Sequence, residues 1–274
     1  RADHELGMFK EILSYIDQKG LTENPTVDTY LNCYRALTNP EREDYFFRFR
    51  NLLVQNADRF SLDELRNLYL LAINFCIRRL NEGHKTFARE GLDLYKNALQ
   101  SEVLFLNGIL SRFTFQNIVA MGLKVEEFSW VESFIKHYQN HLEEEHKQST
   151  YAFNMAMLAY GRKNLDEALS LLQLADYKDL LMNLSAKTLA AKIYYELEEN
   201  MLLDSHLQTM LVFIRRKKVI GYHRKNYLNF IKYLNKLIKV SPFQKSKYID
   251  LEKAIAAESI LTEKEWLLKM IALG

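Results

Sequence analysis

The chain has 274 residues, 48% of them hydrophobic and 26% charged, with 37 Lys and Arg against 35 Asp and Glu for a formal net charge of +2. That is enough apolar material for one large core or two small ones, and it excludes a disordered chain. Only 3 Pro and 9 Gly interrupt the sequence, and Val/Thr/Gly alternation is sparse, so the composition disfavours strands and predicts an all-α protein.

In chain order, apolar periodicity predicts helices near residues 3–19, 26–38, 41–57, 61–82, 85–100, 103–110, 112–122, 125–142, 147–161, 164–177, 183–197, 199–217, 222–240 and 243–272, the last broken near Ser259. The chain starts at Arg1 and enters helical periodicity almost at once, which points to a piece of a longer polypeptide or a processed chain. Nothing in it resembles a secretory signal. Pro25, Pro40 and Pro242 fall where helices begin or cannot continue, and Ser61 with Glu64 has the spacing of a capping box. Cys33 and Cys76 are the only cysteines and lack metal or redox spacing, so both are expected as reduced core thiols in a cytoplasmic protein. No apolar run reaches the ~18–20 residues of a membrane span. Short links between successive helices imply antiparallel hairpins.

The polar break Gly161-Arg162-Lys163-Asn164 divides one such hairpin. Aligning residues 115–135 on 152–172 without gaps places Asn117 on Asn154, Leu123 on Tyr160, Phe128 on Leu165 and Val131 on Ala168. Carrying that register outward marks second-helix seams at Gly91, Val131, Ala168 and Leu203, spaced 40, 37 and 35 residues apart. A hairpin whose apolar face is wider than its partner helix must stack on the next hairpin, so the period predicts an α-solenoid spanning residues 1–274 as a single domain. Ala156, Ala159, Ala168 and Ala175 give two helices room to approach within ~8–10 Å. The alternative is a closed helical bundle.

With Asn154 two residues before Ala156, Tyr160 and Leu165 around the turn, and Ala168, Leu172 and Ala175 on the second helix, the hairpin at 148–181 resembles a tetratricopeptide repeat. Segments 111–145 and 183–216 match less well, the latter with Leu203 in place of the small residue. The chain is similar to divergent bacterial members of the tetratricopeptide-like superfamily. The resemblance implies a right-handed superhelix capped by the basic helices at 222–272. It also implies a concave, peptide-binding groove lined by first helices, with Asn117 and Asn154 on a ligand's backbone and Lys124, Tyr160 and Lys192 pointing the same way. A carboxamide offers both donor and acceptor, which suits a main-chain amide. Satisfying a neighbouring helix is the other role open to both asparagines.

Between Ser205 and Ile249 there is no Asp or Glu, yet this span holds Arg215, Arg216, Lys217, Lys218, Arg224, Lys225, Lys232, Lys236, Lys239, Lys245 and Lys247. The remainder has 26 basic residues against 35 acidic ones, so a small net charge conceals a polarised molecule. At 100° per residue Lys225, Lys232, Lys236 and Lys239 fall within ~60° of one another, opposite a stripe of Tyr227, Ile231, Leu234 and Ile238. Such a band attracts anions, among them nucleic-acid phosphate, an acidic protein segment or an anionic membrane surface. Internal pairing with Glu143, Glu144 and Glu145 or with Glu196, Glu198 and Glu199, or plain solvation, would also account for it. Tyr222, Tyr227, Phe230 and Tyr233 interleave with these cations, a spacing that suits a core as well as base stacking.

The sequence contains no phosphate loop, nucleophile elbow or HExxH. His137 and His141 stand at i, i+4 before Glu144, Glu145 and His146, but without the glutamate of a zinc protease, so no metal, cofactor or catalytic residue is assigned. The sequence thus predicts a non-enzymatic scaffold for a protein or peptide partner. The alternative is a nucleic-acid- or anion-binding regulator using the band at 215–247.

Overall fold

Short polar side chains set some of the helix starts in this chain, and a repeated left-handed turn sets several of the helix ends. In a computed structural model, which describes residues 11–16, 18–216, 221, 223–240 and 245–273, the elements are α1 (residues 11–16), α2 (Pro25–Thr38), α3 (Glu43–Gln55), α4 (Leu62–Asn81), α5 (Phe87–Gln100), β1 (Phe105–Leu106), β2 (Ile109–Leu110), α6 (Arg112–Lys124), α7 (Phe128–Tyr138), α8 (Glu144–Gly161), α9 (Leu165–Leu172), α10 (Leu180–Glu196), α11 (Asn200–Arg216), α12 (His223–Lys239), α13 (Lys245–Ala257) and α14 (Lys264–Leu273). Among the described residues the protein is all-α but for one two-stranded hairpin, and successive helices pack on one another. The parts of the predicted helices at residues 3–10, 17, 217, 222 and 243–244 lie outside the described residues, as do Lys217, Lys218, Tyr222 and Pro242.

Asn24 accepts from the Thr26 amide (2.9 Å) at the head of α2, where Pro25 takes the first position and forfeits no hydrogen bond. The capping box at Ser61 and Glu64 forms as expected and opens α4. Five helices then end on the same device, α5 among them, where Glu102 takes a φ of 55° and the Val103 amide reaches back to Ala98 (3.2 Å). Gly83, Glu126, Lys163 and Glu198 take φ values of 99°, 59°, 67° and 59°. The next amide in each case reaches back five residues: His84 to Arg79 (3.0 Å), Glu127 to Gly122 (3.0 Å), Asn164 to Ala159 (2.9 Å) and Glu199 to Tyr194 (2.9 Å). This closure satisfies carbonyls that the helix end leaves open and reverses the chain into the next helix. Five residues past the turns at Gly83, Glu126, Lys163 and Glu198 lie Ala88, Val131, Ala168 and Leu203, all buried, whereas the turn at Glu102 leads into β1 and the exposed Asn107. In the first hairpin the equivalent position is therefore Ala88, where the sequence spacing marked Gly91.

The chain forms two compact units that meet between Thr150 and Tyr151, inside α8. The first unit is built around aromatic rings. Phe46 of α3 stacks on Phe75 of α4 with centroids 4.5 Å apart, and Phe87 of α5 closes on both at 5.4 and 5.8 Å. Two glycines serve close approach: a Cβ on Gly91 would lie 2.6 Å from Met121 Sδ, and one on Gly122 would lie 2.3 Å from Val131 Cγ2. Cys33 and Cys76 are buried free thiols, and burial pushes Cys33 up to about 11 and Cys76 higher still.

One prediction fails in this unit. Residues 103–110 do not form a helix. Phe105 pairs with Leu110 and Leu106 with Ile109 in an antiparallel hairpin. Asn107 and Gly108 turn it with φ of 53° and 77°, the left-handed pair that an Asn-Gly dipeptide adopts with least strain. The local turn chemistry outweighs a helical period that is only two turns long.

The second unit begins with an alanine-rich seam. Ala156, Ala159 and Ala168 pack with Leu172, Ala186, Leu189 and Ile193. A further cluster joins Leu203, Leu207, Met210 and Ile214 of α11 to Phe230 and Leu234 of α12 and Leu267 of α14. Helix α9 stops at Leu172, short of the predicted 177, because Asp179 accepts from the Met182 amide (2.8 Å) and starts α10 three residues before the predicted 183. The break expected near Ser259 falls between Ala257 and Lys264, where the Lys264 ammonium donates to the carbonyls of Ala256 (2.6 Å) and Glu258 (3.1 Å). Among the described residues no helix is long and apolar enough to cross a membrane.

Candidate binding surfaces

Two of the five predicted groove residues meet in the second unit. The Tyr160 hydroxyl, near the end of α8, donates to Glu196 on α10. The indole Nε1–H of Trp266 donates to the same carboxylate at 2.9 Å, and the Lys163 ammonium donates at 3.0 Å. Lys192, one turn earlier on α10, is 9% exposed and pairs with Glu263 at 2.7 Å. Its ammonium lies 4.8 Å from the Tyr160 ring centroid and 5.6 Å from that of Trp266.

This network fixes its own protonation states. Burial raises the Glu196 carboxyl, but the hydrogen bonds from Tyr160, Trp266 and Lys163 outweigh it and leave the group below its ordinary value. Burial first, and then the neighbouring Glu196 anion, push Tyr160 far up. Tyr160 and Lys192 thus spend their polar atoms inside the chain. Asn154 is buried at 2% exposure on the same helix as Tyr160. Beside Glu196 lies a cleft of about 810 Å³, with Tyr195, Leu237, Tyr248 and Met270 as apolar walls and Lys163, Glu198 and Lys269 at charged points.

Asn117 and Lys124 belong to the first unit, both exposed on α6. The Asn117 carboxamide is hydrogen-bonded to the Tyr95 hydroxyl of α5, and burial raises Tyr95 to about 12 against that bond. This is the neighbouring-helix role, made to a side chain.

The more continuous surface of the first unit lies on second helices. A cleft of about 500 Å³ separates α3 from α5 and is lined by Asn51, Gln55, Lys96, Asn97 and Gln100. A second, of about 260 Å³, separates α5 from α7 and shares Lys96 and Gln100 with the first. A third, of about 450 Å³, shares Leu99, His137 and Tyr138 with the second and ends at Arg66, Phe105 and His141. The three run end to end. Lys96 sits 4.6 Å from the Trp130 ring centroid and bonds to Glu127, whose carboxyl is held low by hydrogen bonds from Lys96 and Arg89. Among the described residues no hydrogen bond engages the carboxamides of Gln55, Asn97 or Gln100.

Sequence reasoning missed this surface because it followed apolar spacing. The available signal was polar: Asn51 with Gln55 at i, i+4 and Asn97 with Gln100 at i, i+3 place carboxamides on one side of each second helix.

His137 and His141 do not converge on a metal site. The His141 Nδ1–H donates to the Gly108 carbonyl (3.0 Å), and its ring lies 5.0 Å from Phe105 and 5.9 Å from Tyr138. Among the described residues no group of three or more His, Cys, Asp or Glu side chains is placed to hold a metal ion.

The predicted anion surface keeps its charge. Arg215, Arg216, Lys225, Lys232, Lys236 and Lys239 are all exposed, and among the described residues no ion pair engages any of them. Glu196, one suggested internal partner, is taken by Lys163. Tyr233 and Phe230 face inward, with 5% and 0% exposure. No protein-family model matches this chain, and no curated protein is significantly similar to it.

Proposed function

We infer that this chain is a non-enzymatic helical-repeat scaffold of the tetratricopeptide-like type, and that it holds an extended segment of a partner protein. The observation that carries this reading is the run of three clefts along α3, α5 and α7, lined by carboxamides and aromatic rings. An extended main chain presents alternating donors and acceptors, and a carboxamide answers either one. Trp130 and Tyr138 add flat apolar surfaces of the kind that anchor peptide side chains.

The recurrent left-handed turns at Gly83, Glu126, Lys163 and Glu198, each followed at the same offset by a buried residue, support a repeat built of stacked hairpins. The proposed groove accordingly lies on second helices. Tyr160 and Lys192 tie helices of the second unit to one another, Asn154 is buried there, and Asn117 bonds to Tyr95 of α5.

Selection of a random-sequence peptide library displayed on phage tests the reading. Enriched peptides are expected to lose about tenfold or more in affinity toward a chain carrying both Asn97→Ala and Gln100→Ala, which removes two hydrogen-bonding side chains and no packed core atom. Failure to enrich any peptide, or equal binding to both chains, overturns it.

A further inference from the structure

A second surface, on α12 in the other unit, fits a different kind of contact. Lys225, Lys232, Lys236 and Lys239 are exposed on one face of that helix, while Phe230, Ile231, Leu234 and Leu237 are buried on the opposite one. The buried face locks the rotation of the helix, so the four lysine side chains leave it along one fixed line. Over the fourteen residue steps from Lys225 to Lys239 the row is ~21 Å long, with successive rises of ~10, 6 and 4.5 Å. Lys232 and Lys236 both lean over the buried Tyr233 ring, at 5.0 and 5.9 Å from its centroid. Like charges three and four residues apart oppose one another by ~0.2–0.5 kcal/mol per pair, and among the described residues no carboxylate pairs with them. An anion laid along the row relieves that repulsion.

We propose that the exposed face of α12 is a docking strip for a short acidic segment of a partner protein, a run of about six or seven residues rich in Asp and Glu. An extended segment of that length spans ~20–23 Å, the length of the lysine row, and places alternate side chains on one side every ~6.6 Å, close to the ~6 Å step from Lys232 to Lys236. A nucleic acid fits less well, for three reasons. Phe230 and Tyr233 of α12 are buried and Tyr227 packs partly buried against the core, which leaves little ring surface for a base to stack on. Lysine is a point charge without the planar fork that reads a base edge. A duplex carries a charge every ~1.7 Å far beyond both ends of the strip, while the rest of this chain holds 26 basic residues against 35 acidic ones. A bilayer demands a broad basic plane, and this strip is one helix wide. The strip is independent of the proposed groove, which lies on α3, α5 and α7.

Fluorescence anisotropy at about 50 mM salt, where exposed charges are weakly screened, tests the proposal with four probes. They are labelled hepta-glutamate, a labelled Gly/Ser heptapeptide, a 20-base-pair duplex and vesicles rich in phosphatidylserine. Hepta-glutamate is expected to bind, the neutral peptide not to bind, and the Lys232→Glu/Lys236→Glu double variant to lose at least tenfold in affinity. Lys253→Glu, an exposed charge reversal on α13, should lose less than twofold. Both variants should keep the wild-type circular dichroism and unfolding midpoint, since exposed substitutions rarely shift stability. The proposal is overturned if hepta-glutamate binds no better than the neutral peptide, or if both variants lose equally. Tighter, lysine-dependent binding of the duplex or of the vesicles also overturns it. Loss of phage-selected peptides from the groove leaves this result unchanged, so the two readings fail separately.

Discussion

Both units bury consecutive antiparallel helices, yet they fill the space between those helices in opposite ways. Up to Thr150 the space is occupied by large rings, with Phe46, Phe75 and Phe87 in mutual contact and Phe115 against Phe134 at 4.8 Å. From Tyr151 onward the first three helices remove side-chain volume instead, through Ala156 and Ala159 of α8, Ala168 of α9 and Ala186 and Ala190 of α10. The end of the seam is then closed by the hydrogen-bonded set of Tyr160, Glu196 and Trp266 beside the pair of Lys192 and Glu263. Interlocked rings tolerate acid and fail when volume is lost. Close-packed alanines with a polar closure tolerate little added volume and fail when a partner group is removed or protonated.

The largest expected effect separates the two routes directly. Phe46 is fully buried among rings, so Phe46→Ala leaves a cavity that rigid neighbours cannot fill and should cost about 3–5 kcal/mol in urea unfolding. A loss under about 1 kcal/mol would show that the ring cluster collapses freely. In the second unit the matching test is Glu196→Ala. It strips the acceptor from the Tyr160 hydroxyl and the Trp266 indole, with an expected loss of about 2–3 kcal/mol at neutral pH. The Glu196 carboxyl is depressed in the fold, so its contribution is complete above the ordinary glutamate value near 4.3 and disappears as pH falls through the lower, folded value. Wild type and variant should therefore converge in acid, and parallel pH profiles would refute the network's role.

A smaller effect tests what the glycines do. Helix propensity alone favours Ala over Gly by about 1 kcal/mol. At Gly122 the added methyl would meet the branched, stiff Val131 at 2.3 Å, so Gly122→Ala should destabilise by about 1–2 kcal/mol despite that preference. At Gly91 the close obstacle is the flexible end of Met121, with the Cys76 Cβ at 3.3 Å, so Gly91→Ala should cost less than Gly122→Ala. Equal outcomes at the two positions would mean that backbone entropy, and not contact, decides both.

These contrasts also explain which features were legible beforehand. Helix positions followed from apolar spacing, and the Ser61 box and the break near Ser259 from local chemistry, because each depends on a few adjacent residues. The hairpin at 105–110 was equally local, but its Asn-Gly signal sat inside a short apolar run that also fits a helix. The first seam slipped from Ala88 to Gly91 because a small residue is a weaker marker than the turn that precedes it. The fates of Tyr160 and Lys192 depended on Glu196 and Glu263, 36 and 71 residues farther along the chain, and apolar spacing marks neither carboxylate. Clefts between helices are legible least of all, since helix order alone does not say which polar faces border one another.

The smallest effect concerns a single imidazole in the second unit. His206 on α11 donates its Nε2–H to the Lys187 carbonyl at 2.8 Å and packs edge-on against Tyr194 at 5.5 Å. Burial lowers its pKa from 6.5, opposed by the Lys187 carbonyl bond. The unfolded chain therefore binds a proton that the fold refuses. Stability from this group is complete above about 6.5 and declines as pH falls toward the lower folded value. This is a second acid sensitivity of the same unit, beginning about two pH units above that of Glu196. Glutamine at this position still donates to the carbonyl but takes up no proton. His206→Gln should thus flatten the unfolding profile between about pH 7 and 5 while leaving the fall below about pH 4.5 in place. If the variant retains the full slope in that window, the sensitivity belongs to another group, and the acid response of Glu196 is of a kind with that of Glu64 and Glu127 in the first unit, whose carboxyls are also held low by hydrogen bonds.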